Sequence, residues 1–260
     1  MPVLASLPQR IAPAVRRRVD ILRHRGSAVE CPLCRGRFDR FKAAWNRPDA
    51  LCWHCGSHER HRAQWLLLTR RPELLRDIRS LLHFAPEWTM RERLAPLAAE
   101  RGLRYVTADL DPAGVDRQLD LNALALSDDA FDAVMCSHVL EHVPDDATAM
   151  RELRRVTAGG GWCLVMVPLD LTRAETYEDP SVVTPEARER EFLQHDHVRL
   201  YAPDIADRLA AAGFAVEVVR PDDLGPDAVR RAGLLASDWI FLCRPAAAGL
   251  RDPSARLSTP

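Results

Sequence analysis

The sequence predicts an α/β protein built on a mainly parallel sheet, with a small cysteine-rich module in front of it. Three observations predict this. Short apolar runs alternate with amphipathic runs from about residue 80 onward. Two of those runs end in acidic residues, Asp109 and Asp120, and a third ends in a Ser-His pair. Four cysteines fall in two Cys-x-x-Cys pairs before residue 60.

The elements follow in order. Residues 1–29 are Arg-rich, and a helix is expected over 9–25. Cys31 and Cys34 precede Cys52 and Cys55, with 17 residues between the pairs. In a reducing compartment this spacing reads as a structural zinc ribbon over residues 30–60, because four thiolates close a tetrahedron and leave no open position. About thirty residues build no core of their own, so the metal would supply folding free energy on the order of 10 kcal/mol. Pro32 and Gly56 suit the knuckle turns. His54 and His58 read as surplus polar residues. The arm FDRFKAAWN would cover the metal or face a partner.

Residues 61–78 show helical spacing broken at Pro72. Then come a strand at SLLHFA, a helix closed by Gly102, and strands at LRYVTADL, VDRQLDL and AFDAVMCS. A helix from Asp145 or Asp146, stopped by Gly159–Gly161, leads to the strand WCLVMVP. A polar, irregular segment, 168–201, would fold over the pocket mouth as a lid. A helix and a hairpin-like pair of strands finish the domain, which spans 61–245. Residues 246–260 are Ala-, Pro- and Ser-rich and read as a disordered tail. Cys136, Cys163 and Cys243 each sit in an apolar run and read as core.

The whole chain carries a net charge of −1, yet residues 1–80 hold 17 Lys and Arg against 7 Asp and Glu. That asymmetry marks the N-terminal part as a candidate face for an anionic partner, such as nucleic acid. There is no apolar run of roughly 18 residues, so no membrane partner is expected. The N-terminus lacks the charged start and apolar run of a secretory signal, which points to the cytoplasm.

In an α/β sheet, ligands sit outside the carboxyl ends of the strands. Asp109 and Asp120 fall there, one strand apart, and suit a ligand with ribose hydroxyls and an adenine amino group. The order and spacing from about residue 80 to 244 resemble the class I S-adenosylmethionine (SAM)-dependent methyltransferases of the small-molecule type. The resemblance implies a Rossmann-like, mainly parallel seven-stranded sheet and SAM as cofactor. In that family the first strand ends in an acid and a glycine-rich loop. Here the segment is His83-Phe84-Ala85-Pro86-Glu87. His83 stands for the acid, Ala85 for one glycine and Glu87 for the next. A Cβ at position 85 is tolerated where φ is negative, and Glu87 could accept from the cofactor ammonium.

The resemblance assigns the ribose to Asp109, with Asp111 as a competitor, and the adenine to Asp120 and Leu121. It sets the stretch from Ser137 to His142 under the sulfonium, with Ser137 and His138 at the strand end and Glu141 and His142 at the start of a helical turn. His138, His142, His195 and His197 are the candidate catalytic residues, since a base is needed only if the acceptor carries a proton. The acceptor implied is a small molecule or a peptide. Two alternatives stay open: an RNA methyltransferase using the basic ribbon region, and a non-catalytic SAM-fold module that binds proteins.

Overall fold

The structure, a computed structural model, describes residues 13–44 and 47–246. Two expectations lie partly or wholly outside them: the tail and the first part of the N-terminal helix. Trp45 and Asn46 of the ribbon arm also fall outside. Among the described residues no helix is long and apolar enough to cross a membrane.

Helix α1 (Pro13–Arg23) leads into the cysteine module. There β1 (Arg25–Glu30) pairs antiparallel with β2 (Arg37–Phe38), and β3 (Lys42–Ala44) pairs antiparallel with β4 (Arg47–Leu51). The two knuckles repeat one hydrogen-bond pattern. Arg35 N donates to Cys31 O (2.8 Å) and Cys31 N to Gly36 O (2.9 Å); Gly56 N donates to Cys52 O (2.9 Å) and Cys52 N to Ser57 O (3.0 Å). Equivalent positions Arg35 and Gly56 both carry positive φ, 61° and 73°. Glycine takes that conformation at no steric cost, and the arginine does not.

The module is not a separate body. Phe38, Phe41 and Cys31 belong to the same apolar cluster as Leu67, Leu81 and Leu242 of the main domain. Arg62, fully buried, fastens the join. Its guanidinium donates to Ala50 O, Ser57 O and Asp49 O on the ribbon side, and to Ala232 O and Gly233 O on the other. A buried charge is tolerable only when its donors are met in this way.

The main domain begins with α2 (Glu59–Arg70) and α3 (Glu73–Arg76), broken at Pro72 as expected. Then follow β5 (Ser80–Phe84), α4 (Trp88–Arg101), β6 (Arg104–Asp109), β7 (Arg117–Gln118), β8 (Phe131–Ser137), α5 (Asp146–Val156) and β9 (Thr157–Met166). The chain ends with α6 (Pro185–Phe192), α7 (Ile205–Ala211), β10 (Phe214–Val219), α8 (Pro226–Ala232) and β11 (Ile240–Pro245). The seven main-domain strands lie in the order β10-β11-β9-β8-β5-β6-β7. β11 runs antiparallel to both its neighbours; the pairs from β9 to β7 are parallel. Two apolar layers cover the two faces. Cys136, Cys163 and Cys243 lie wholly buried in one layer, where burial pushes their thiols up.

Four local expectations are corrected. Gly159–Gly161 do not stop α5, which ends at Val156; they lie in β9. A Cβ on Gly161 would stand 2.1 Å from Asp132 O, so strand contact, not helix termination, requires glycine there. The strand VDRQLDL shrinks to two residues and ends before Asp120. Segment 168–201 is not wholly irregular, since α6 lies inside it, started by Pro185 and the Thr184 cap. The two last strands are antiparallel neighbours, but α8 lies between them in sequence rather than a tight turn.

Candidate functional site

The carboxyl ends of β8, β5 and β6 lie side by side. Phe84 is level with Cys136 on one flank and Ala108 on the other. Ser137, Ala85 and Asp109 therefore lie one step beyond those partners. β5 is also where the strand order reverses, the place where open α/β sheets bind ligands.

Ala85 has φ of 43°, contrary to the negative value expected for a residue with a Cβ. The turn keeps a glycine-like backbone and carries strain for it. Its N–H donates to Ala108 O at 2.8 Å. Two residues on, Glu87 turns its carboxylate inward. Oε1 lies 3.3 Å from His61 Nε2, 3.4 Å from Arg60 Nε and 3.4 Å from Ser137 Oγ; Oε2 lies 3.7 Å from His83 Nε2. Burial raises the carboxyl pKa, but the two imidazoles outweigh it and hold it well below the usual range. His83 is fully buried and shares a hydrogen bond with Tyr105 Oη at 2.8 Å.

The α2 residues at this site were missed in the sequence. His61 Nδ1 accepts from His58 N (3.2 Å) and contacts Thr89 Oγ1 at 2.7 Å. A backbone N–H only donates, so the neutral ring carries its proton on Nε2, toward Glu87. Burial lowers the His61 pKa, in keeping with that neutral ring. Gln64, one helical turn on, donates to Ser137 Oγ at 3.0 Å. The spacing of 61 and 64 on one helix face was the available signal; nothing local tied that face to Glu87 or Ser137.

Asp109 ends β6 half-buried, and its Oδ1 accepts from Asp111 N at 3.2 Å. Asp111 is exposed and turns its Oδ1 to Ala113 N (2.9 Å), which makes it a turn former. Asp120 is exposed as well, with Oδ1 accepting from Asn122 N at 2.8 Å; Leu121 is buried beside it.

His138 sits just past β8 with φ of 55°. Its Nδ1 lies 3.2 Å from Glu141 Oε1. His142 Nδ1 lies 3.2 Å from Asp196 Oδ2, and its ring meets that of His197 edge-on at 4.8 Å. His197 is buried, with Nδ1 3.1 Å from Phe192 O. Burial pulls its pKa down. His195 stands apart from the other three histidines: its side chain is 67% exposed and reaches only Asp196, at 3.9 Å.

The four ribbon sulfurs form one group within 4.8 Å. Cys31 Sγ to Cys55 Sγ and Cys34 Sγ to Cys52 Sγ are each 3.6 Å. A tetrahedron with Zn–S bonds of about 2.3 Å has edges of about 3.8 Å. His54 and His58 add no ligand atom to this group.

The fold is that of the class I SAM-dependent methyltransferases. Residues 91–165 match the methyltransferase domain family. No curated protein matches the chain. Among solved structures, it is similar to the methyltransferase in complex with the Trm112 methyltransferase activator of Haloferax volcanii, at 14% identity over 71% of this chain and 91% of that one, with a TM-score of 0.45. It is similar to the 1,6-didemethyltoxoflavin-N1-methyltransferase of Burkholderia thailandensis with bound 1,6-didemethyltoxoflavin and S-adenosylhomocysteine, at 17% identity over 72% and 78%, TM-score 0.47. A SAM-dependent methyltransferase of Mesorhizobium loti is 18% identical over 70% and 96%, TM-score 0.45.

Proposed function

We propose that the chain binds SAM at the carboxyl ends of β5, β6 and β8 and transfers its methyl group to a small-molecule or peptide acceptor. One observation carries this reading. Gln64 Oε1, His83 Nε2 and Glu87 Oε2 are buried polar atoms without a hydrogen-bond partner, gathered around one strand end. Buried polar atoms are nearly always satisfied, so such a group calls for a ligand. An ammonium and a carboxylate on one ligand would suit it: Glu87 and Gln64 offer acceptors, while Arg60 and His61 offer donors. The methionine end of SAM carries that pair of groups. On the next strand Asp109 keeps Oδ2 to accept from ribose hydroxyls.

SAM supplies a methyl carbon already activated by a positive sulfur, so the protein's task is mostly positioning. Ala85 keeps the backbone turn that lets a ligand approach. His138 is the candidate to receive a proton from an acceptor, with Glu141 beside it. Zinc in the four-cysteine group would be structural, in a reducing cytoplasm.

Calorimetry with S-adenosylhomocysteine tests the reading. Wild-type protein is expected to bind, and Asp109→Ala to bind at least about tenfold more weakly, as loss of a charged acceptor costs roughly 1.5–3 kcal/mol. No binding to the wild type would return the chain to the non-catalytic alternative.

A second reading has its own support. A cavity of about 820 Å³ is lined in part by Arg16, Arg17, Lys42, Trp53 and Trp88. Trp88 is 69% exposed and opens α4, next to Glu87. Cations with aromatic faces suit a single-stranded nucleic acid. RNA binding that is lost in Arg16→Ala/Arg17→Ala would favour an RNA acceptor; absence of RNA binding would remove it.

A further inference from the structure

We propose that Glu141, His142 and His197 form a site for one divalent transition-metal cation, whose open coordination positions would take an oxygen donor of the methyl acceptor. The metal site stands on its own residues; the use made of it rests on the methyltransferase reading above.

Each of the three offers a ligand atom within 4.8 Å of the other two. Metal–ligand bonds of about 2.1 Å put ligand atoms about 3–4 Å apart, so small movements complete the site. Glu141 is only 1% exposed, and neither carboxylate oxygen has a hydrogen-bond partner. His138 Nδ1 lies 3.2 Å from Oε1. An ionised carboxylate is costly to bury in that state, and a cation removes the cost.

The imidazoles are also prepared. A carbonyl oxygen only accepts, so His197 Nδ1 carries the proton that meets Phe192 O, and Nε2 keeps its lone pair. On His142, Nδ1 faces the Asp196 carboxylate at 3.2 Å. Metal-binding histidines characteristically make such an outer contact through the other ring nitrogen.

The two ligand-bearing segments, 55 residues apart in the chain, are fixed to each other. Buried Arg199 donates to Leu140 O (2.7 Å), Val143 O (2.6 Å) and Pro144 O (3.0 Å). Val198 N donates to Glu141 O at 2.9 Å. Two histidines and one carboxylate leave coordination positions open, unlike the closed four-sulfur group. His138 ties the cluster to the end of β8, beside the proposed cofactor site.

The test uses the full chain with zinc in its ribbon and Mn²⁺ as probe. Mn²⁺ is a hard ion that does not compete for thiolates, so the ribbon is unaffected. Loss of the free Mn²⁺ paramagnetic resonance signal should report one ion per chain. Glu141→Gln and His197→Gln should each weaken binding at least about tenfold, and Asp196→Asn, at an exposed position, about tenfold. Failure of the wild type to bind Mn²⁺, or equal affinity in wild type and variants, overturns the site. Circular dichroism checks each variant; should Glu141→Gln not fold, His197→Gln and Asp196→Asn decide. Calorimetry with S-adenosylhomocysteine on the same samples separates the two ideas. A chain that binds Mn²⁺ but not the nucleoside keeps the site and loses the methyltransferase reading. The converse loses the site alone.

Discussion

The four-cysteine group and the Glu141–His142–His197 group solve opposite problems with similar means. In the first, ligands come in pairs with two residues between them, and each knuckle forms its own turn. All four thiols meet in a small module whose apolar residues are few, and the group is closed. In the second, the ligands come from two distant segments already held by a buried arginine and a packed sheet. The first group would lend stability to its surroundings; the second draws on it. A metal should therefore be a folding element at one site and a guest at the other.

The largest expected effect breaks or keeps that contrast directly. Strong chelation of the ribbon metal, or Cys52→Ser, should remove folding free energy on the order of 10 kcal/mol from residues 25–57. Because Phe38 and Phe41 share the main apolar cluster, the thermal transition of the whole domain should drop too. Glu141→Gln should leave that transition within about 1 kcal/mol of wild type or raise it, since neither carboxylate oxygen makes a hydrogen bond that the substitution would lose. A melt unchanged by chelator would make the cysteine group a bystander, and the contrast would fail.

The join between the regions comes next. Arg62→Met removes the donors to five carbonyl oxygens and leaves buried acceptors unmet. A loss of about 3–5 kcal/mol in denaturant unfolding is expected. Two separate transitions in Arg62→Met, against one in the wild type, would show that the guanidinium is what makes ribbon and domain one cooperative unit. A loss below about 1 kcal/mol would show that the shared apolar cluster suffices.

The two groups also differ in how far the sequence announced them. Cys31, Cys34, Cys52 and Cys55 were legible because their chemistry is local: the spacing alone builds the turn. The sheet was legible for the same reason, since each buried strand writes an apolar run. Asp109 at a strand end follows from the length of its run. What escaped depended on contacts between distant segments. His61 and Gln64 acquire meaning only when α2 lies against Glu87 and Ser137. Glu141 reads as one residue of a helix start until 197 is folded against it. Gly161 looked like punctuation, whereas its role is the close approach of Asp132 O. Asp120 was misplaced because β7, at the sheet edge, is shorter than its apolar pattern.

The smallest effect sharpens the comparison from between the two groups. Asp238 is nearly buried, feels both Arg62 and His138, and accepts from Leu235 N at 2.7 Å. Burial is the main cause that pushes its pKa up to about 6, against the lowering effect of the Leu235 hydrogen bond. The unfolded value is about 3.9. A raised folded value means that protonated Asp238 contributes stability below about pH 4, and that this contribution is lost as pH rises through about 6. At pH 8 the ionised group remains a net cost. Asn keeps an oxygen for Leu235 N and cannot ionise. Asp238→Asn should therefore stabilise the chain by about 1–2 kcal/mol at pH 8 and by almost nothing at pH 4. Denaturant melts of both proteins across that range measure the difference. A gain that does not depend on pH would mean that packing, not charge, is what the substitution changed. A loss at pH 8 would mean that Arg62 and His138 hold Asp238 ionised, and that the two regions are coupled by charge as well as by apolar contact.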